Sequence, residues 1–250
     1  MFIMTEPVLV SRVDDGIDVC LNRPEKRNAI TAAMYGALTA AFVEAEADSS
    51  VRWILLRGAG VSFTAGNDLA DFLAAPTEDE PPAFGFLRAL ATATVPVIAA
   101  VHGRTVGIGA TLLLHCDHVV AADDTELRYP FTDLALVPEA ASSLLLPRIV
   151  GHLAAAEILL AGQPVSATRA LELGLVSKVV PLGEQVEAAR NFASHFATKS
   201  PEAVRLTKRL LRDDAPGLLR RIALEGDIFL GRIQTQEFKD IAQALLSPKK

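Results

Sequence analysis

Cysteine is scarce in this 250-residue chain: only Cys20 and Cys116 are present, far apart and in apolar surroundings. No disulfide framework is expected, and a reducing compartment, the cytoplasm, is the expected setting. Long apolar runs are also missing. Half of the residues are hydrophobic, enough to bury a substantial core, yet no uninterrupted run approaches the roughly 18 residues of a membrane span. Met1 to Pro7 lacks the basic-then-apolar order of a signal peptide. Positive charge is in deficit, with 24 Lys and Arg against 30 Asp and Glu, and the net −6 gives no general pull toward nucleic acid. There is no Gly-x-Ser-x-Gly and hence no serine-hydrolase elbow. Gly107-Ile108-Gly109 has no third glycine, since Leu112 stands in its place, so a dinucleotide-dependent oxidoreductase is the weakest of the readings weighed. His115 and His118 flank Cys116-Asp117 but span an expected helix end, and no metal site is expected there.

What is present is an alternation of strands and helices that gives way to helices. Residues 8–13 and 17–21 read as strands joined by an Asp14-Asp15-Gly16 hairpin. Thr31 can cap a helix to about Ala47, with Met34, Leu38, Ala41, Phe42 and Ala45 on one face. Residues 51–57 and 96–101 are apolar strands, and the first, with little alternation, is expected to be buried on both faces. Residues 74–82 read as a proline-rich acidic loop, 83–93 as a helix, 107–115 as a helix and 118–121 as a strand. Beyond Pro138 helices are expected at 139–150, 153–161, 167–173, 182–198 and 201–211, then 216–246 with breaks. The order predicts an α/β core followed by a helical C-terminal section. Lys199 to Arg221 holds seven Lys or Arg against three acids, a solvated helix face or a contact for an anionic ligand or partner.

Two loops carry chemistry. Phe63-Thr64-Ala65-Gly66-Asn67-Asp68-Leu69 follows the strand at 51–57, and Gly103 to Asp117 follows the strand at 96–101. Each is a small-residue turn between an apolar strand and a helix, where unpaired N–H groups can receive developing negative charge. Taken alone, Asn67 reads equally as a helix cap in a tight turn.

Leu21-Asn22-Arg23-Pro24-Glu25-Lys26-Arg27-Asn28-Ala29-Ile30, the Ala65 to Leu69 segment, Gly103 to Gly109, Cys116-Asp117, Ala161-Gly162-Gln163 and Ala170 to Val176 together resemble the crotonase superfamily, the enoyl-CoA hydratase/isomerase group. The resemblance runs in the family's order over about residues 8 to 210. It implies a spiral of ββα units in residues 1–198, with residues 199–250 as a helical section for assembly into a trimer or a dimer of trimers. It implies an acyl-CoA substrate, with coenzyme A as part of the substrate and no other cofactor. The backbone N–H groups of Asn67 and Ile108 take the places of the two oxyanion-hole donors, and Arg27, Ala29, Ala65, Asp68 and Leu69 lie in the loops that hold coenzyme A. A turn stabilised by Asn28 accounts for the first of these loops equally well.

The acids separate the possible reactions. By the same resemblance, Thr111 and Phe131 occupy the places of the two glutamates that activate water in hydratases. Neither side chain can act as a carboxylate acid or base. Leu136-Val137-Pro138-Glu139-Ala140-Ala141 resembles instead the peroxisomal-type Δ3,Δ2-enoyl-CoA isomerases, which makes Glu139 the expected catalytic base. Phe131, Leu134, Leu136 and Val137 are the expected apolar walls. Two other readings remain open: a hydratase or other crotonase-type acyl-CoA reaction, and a non-catalytic binding protein on the same fold. For Glu139 the plain alternative is an acid in the first turn of a helix begun by Pro138, favourable by about 0.3–1 kcal/mol on dipole grounds alone.

Overall fold

The computed structural model describes residues 6–73, 81–212 and 215–247. The loop expected at 74–82 lies mostly outside that range. Nine strands and eleven α-helices are assigned among the described residues. The strands are β1 (Val8–Val13), β2 (Gly16–Leu21), β3 (Trp53–Gly58), β4 (Val97–Val101), β5 (Arg104–Val106), β6 (His118–Ala122), β7 (Glu126–Arg128), β8 (Val165–Ser166) and β9 (Lys178–Val180). The helices are α1 (Ala32–Ala47), α2 (Leu69–Leu73), α3 (Pro82–Thr92), α4 (Ile108–Thr111), α5 (Ser142–Val150), α6 (His152–Leu160), α7 (Ala167–Glu172), α8 (Gln185–Ala193), α9 (Pro201–Leu211), α10 (Ala215–Ile233) and α11 (Gln236–Leu246).

A six-stranded sheet runs β1-β2-β3-β4-β6-β9, and a small sheet runs β5-β7-β8. Only the β1–β2 hairpin is antiparallel in the large sheet. Each successive turn of chain gives one strand to the large sheet and a short strand or bridge to the second layer, and then helix. Thus β4 leads to β5 and α4, β6 leads to β7 and α5, and β3 leads to Thr64, which bridges Thr105. This is a spiral. It stacks the loops after β3 and β4 side by side because their strands are parallel neighbours, with Leu56 paired to Ala99.

Local sequence explains the main elements. Thr31 accepts the Met34 N–H and starts α1, whose buried face includes all five residues expected there and also Tyr35. Strand β4 is buried at every position, as its uninterrupted apolar run requires. The differences lie where elements are short. Strands β5, β7, β8 and β9 have two or three residues each, too few for any period to register. The helix expected at 107–115 is one turn of α-helix followed by a 3₁₀ turn, Leu112–His115. The long helix expected at 182–198 ends at Ala193 and continues as a 3₁₀ turn.

Helices α9 to α11 fold back on the core rather than standing apart from it, and Ile222, Phe229, Phe238 and Ala242 join the main apolar cluster. The basic stretch beginning at Lys199 is neither a solvated face nor a free anion site throughout. Lys208 is buried, with its ammonium 2.6 Å from Asp117 and 2.7 Å from the Val95 carbonyl. Arg205 pairs with Glu46 at 3.2 Å, and Arg212 reaches the carbonyls of Leu90 and Ala91. Asp117 also accepts the Val97 N–H at 2.7 Å, so this motif residue ties β4 to α9. No helix among the described residues is long and apolar enough to cross a membrane.

Candidate functional site

The first motif is folded around Asn28, fully buried in the left-handed region at φ 56°. Its amide donates to the carbonyls of Ala59, Ser62 and Phe63 at 2.8–3.1 Å, and its oxygen accepts the Arg23 N–H at 2.8 Å. Asparagine tolerates this backbone region better than other non-glycine residues. The Arg27 carbonyl accepts the Ala65 N–H at 2.8 Å, and Ile30 exchanges bonds with Gly66 and Asp68. The two expected coenzyme A loops therefore form one unit. Arg27 is exposed, Ala29 and Ala65 are half-buried, and Leu69 opens α2 against the core. Asp68 has a partner inside the protein: Arg23 lies 2.6 Å from its carboxylate and also donates to the Ala29 carbonyl at 3.1 Å. Its role in the loop is thus a structural clasp through the side chain.

The orientation of the two expected oxyanion donors follows from the bridges. Ile30 bonds to both neighbours of Asn67, through the Gly66 carbonyl and the Asp68 N–H. In a parallel bridge this turns the N–H of Asn67 itself to the opposite side. Ile108 is the first residue of α4, so its N–H has no partner within the helix. The loops bearing these donors touch. The Val106 N–H donates to the Thr64 carbonyl at 3.0 Å, and a Cβ on Gly66 would stand 2.9 Å from the Val106 oxygen. A Cβ on Gly109 would meet the Thr64 methyl at 2.3 Å. Glycine is required at both places for this approach.

Glu139 does not open a helix. Ala140 (φ 58°) and Ala141 (φ 55°) follow it in the left-handed region, and α5 begins only at Ser142. The dipole explanation of this acid therefore fails. The side chain is buried, and Thr111 donates to it at 2.5 Å. Burial pushes the Glu139 carboxyl up to about 8, with the Thr111 hydroxyl pulling against that and the charge of Glu225 adding to it. Thr111 lies one turn after Ile108 on α4, so the carboxylate sits beside the helix that offers the second donor. From the other side, the Tyr35 hydroxyl donates to the Asn67 side chain. Burial, and then the nearness of Glu139, hold the Tyr35 phenol well above its usual value. Phe131 and Leu136 are buried and Leu134 and Val137 are half-buried, all within the main cluster.

Three contributors were not visible in the motifs. His115 is buried, and its Nε2 lies 2.7 Å from the Ala140 carbonyl, which fixes the proton on that nitrogen. Burial brings its pKa down to about 4, so it is neutral. Tyr35 and Glu225 are the others. A sequence signal existed for Glu225: it interrupts the apolar stripe Leu218, Ile222, Phe229, where a charge is costly without partners. Among the described residues no group of three or more His, Cys, Asp or Glu is arranged to hold a metal.

The chain resembles known proteins along nearly its whole length. The family described as Enoyl-CoA hydratase/isomerase matches residues 15–247. The 1,2-epoxyphenylacetyl-CoA isomerase of Escherichia coli is 32% identical over 96% of this chain and 96% of its own length. Enoyl-CoA delta isomerase 2 of Rattus norvegicus is 34% identical over 82% of this chain and 54% of its own, longer chain. Other relatives carry hydratase names. The solved structure of Pseudomonas aeruginosa OdaA superposes with a TM-score of 0.94 at 41% identity, covering 98% of this chain and all of that one.

Proposed function

The chain belongs to the enoyl-CoA hydratase/isomerase family, with the crotonase fold, and from that premise we propose that it moves the double bond of a 3-enoyl-CoA to the 2-position, with Glu139 as its single acid/base group. One observation carries the reading. The buried carboxylate of Glu139 rests 2.5 Å from Thr111, on the same short helix whose first N–H is that of Ile108. The hydratase glutamate positions hold Thr111 and Phe131 instead. The other nearby carboxylate, Glu225, has an oxygen committed to Ser143.

In this mechanism the thioester oxygen lies between the N–H groups of Asn67 and Ile108. Ionised Glu139 takes a proton from C2, and the electron pair of that C–H bond moves toward the thioester carbonyl. The resulting dienolate places its charge on the oxygen facing the two donors. Glu139 then returns the proton to C4 and the carbonyl reforms, leaving the C2=C3 bond. An elevated pKa suits both halves, because the same group must accept a proton and give it back near neutral pH. Arg27, Ala29, Ala65, Asp68 and Leu69 form the coenzyme A-holding loops, acting through the backbone. A purely binding protein has no use for a carboxylate held in so unfavourable a place, which favours an enzyme. The assembly proposed is a trimer or a dimer of trimers, supported by the exposure of Leu206, Leu210 and Leu211 on α9 and of Leu224 and Ile228 on α10. A cytoplasmic setting belongs to the same reading, with Cys20 and Cys116 both free.

The test is conversion of a 3-enoyl-CoA, with a 2-enoyl-CoA offered separately to detect hydration. Glu139→Gln should lower isomerisation by about 10²- to 10⁴-fold while CoA-ester affinity stays nearly unchanged. Near-parental turnover by this variant would refute the single-glutamate mechanism. Hydration without isomerisation would make the chain a hydratase with an unusual acid arrangement.

A further inference from the structure

Glu225 lies on α10, 5% exposed, and reaches across the molecule to the start of α5. It accepts the Ser143 N–H at 3.0 Å and also the Ser143 hydroxyl, with the same oxygen. Helix starts leave N–H groups unpaired, and the N-cap residue of α5, Ala141, makes no side-chain capping bond. The missing cap is supplied by a carboxylate 82 residues away in sequence. Arg221, one turn earlier on α10, donates to the Ser143 hydroxyl at 3.1 Å and steadies the same contact.

The turn held in this way is strained. Two consecutive alanines in the left-handed region are disfavoured, because each Cβ crowds the neighbouring carbonyl oxygen, and Ala140 and Ala141 directly follow Glu139. The Ser142 N–H and hydroxyl donate back to the Glu139 carbonyl at 3.0 and 2.6 Å. The cap at Ser143 therefore fixes the next residues of the same turn.

We infer that Glu225 is a positioning residue for Glu139: it clamps, through Ser143, the strained turn that presents the carboxylate. The inference rests on Glu139 being the base of the proposed reaction. The groups that face Glu139 are the Tyr35 hydroxyl from α1, the Thr111 hydroxyl from α4 and Glu225 from α10, with His115 behind the Ala140 carbonyl. Tyr35 and His115 are neutral near pH 7; Glu225 is the group whose charge raises Glu139, and burial holds Glu225 itself above the usual glutamate range, with Ser143 and Arg221 pulling it back. With that charge in place Glu139 binds its proton more tightly than burial alone would dictate, and it is the stronger base for it. The C-terminal helical section thus reaches the chemistry.

The experiment is a carbon NMR titration of ¹³C-glutamate-labelled protein without substrate. The Glu139 carboxyl signal is identified by its loss in Glu139→Gln and followed in the parent and in Glu225→Gln. Glutamine keeps an acceptor oxygen for Ser143 and lacks the charge. The Glu139 midpoint should fall by about 0.5 pH or more, and kcat for isomerisation should fall several-fold with KM little changed. In Ser143→Ala, which deletes the hydroxyl that favours ionised Glu225, the Glu225 midpoint, assigned through its own backbone correlations, should rise, a measurement that needs no Glu225 variant. If either midpoint stays in place, the inference is overturned, whatever stability the variants lose. The titration requires no turnover, so absence of isomerase activity would defeat the proposed reaction separately from this result.

Discussion

Replacing Glu139 by Gln removes one titrating group from the interior, and stability should register the change as clearly as activity does. A glutamate in the unfolded chain releases its proton near pH 4.3 or so, whereas burial holds the proton on Glu139 up to about 8. Between those values the native chain binds a proton that the unfolded chain has released. Native stability therefore falls as pH rises through this window, by up to about 1.4 kcal/mol per pH unit. Below the window both states are protonated and above it both are ionised, so the slope vanishes at either end. The accumulated loss is about 3–4 kcal/mol at pH 7 and levels off near about 5 kcal/mol above pH 8. Glutamine has no such window. The stability of Glu139→Gln minus that of the parent should therefore climb from pH 5 to pH 8 and then flatten. Urea unfolding at matched protein concentration, repeated from pH 5 to pH 9, measures this difference. The other titrating groups are common to both proteins and largely cancel, Glu225 being the one that feels the substitution directly. A difference that stays flat to within about 0.5 kcal/mol would mean that Glu139 ionises like an exposed acid, and the argument from burial would be wrong.

Thr111→Ala deletes the hydroxyl that favours the ionised form of Glu139, so the pH of half-maximal isomerisation should move upward, while the rate at high pH falls by less than about tenfold; a downward move would contradict the hydrogen-bond assignment. His115→Phe leaves the buried Ala140 carbonyl without its donor, at a cost of about 1–3 kcal/mol by urea unfolding. That variant should also lose a source of acid sensitivity. The folded pKa of about 4 lies below the usual value, so His115 contributes stability at neutral pH that is lost as pH falls through the range between them. Lys208→Met leaves the Val95 carbonyl without its donor and Asp117 with only the Val97 N–H and Arg212 at 3.7 Å, and should destabilise the protein by about 1–3 kcal/mol, with CoA-ester affinity of the folded fraction unchanged by calorimetry.

Much of this organisation is legible in the sequence because it depends on local rules. Thr31 announces α1, and the apolar run around Ile54 announces a strand buried on both faces. The short strands of the second layer are not legible, because a three-residue piece such as Thr105 with its neighbours has no period. Glu139 is legible as a residue and misplaced as a conformation: proline followed by an acid implies a helix start, and only tertiary contacts hold Ala140 and Ala141 in the left-handed region. Those contacts come from His115 and Glu225, each a single polar side chain acting at long sequence separation. The basic segment after Lys199 is likewise read correctly in composition and incorrectly in direction, since Arg205, Lys208 and Arg212 turn inward.

The glycines at 66 and 109 have a consequence for how the site tolerates change. Each lies where a single added methyl would push one loop against the other, so the spacing of the two loops depends on the absence of two side chains as well as on the bond from the Val106 N–H to the Thr64 carbonyl. Such a gap has no intermediate setting. Alanine at either position would separate the loops by a discrete step, and in the proposed reaction the two donors would be displaced for every thioester alike. Side chains that border the acyl portion can vary without touching that spacing. For the proposed reaction the fold thus separates two kinds of inheritance: a fixed opening for the oxygen, and a freely adjustable surface for whatever is attached to it.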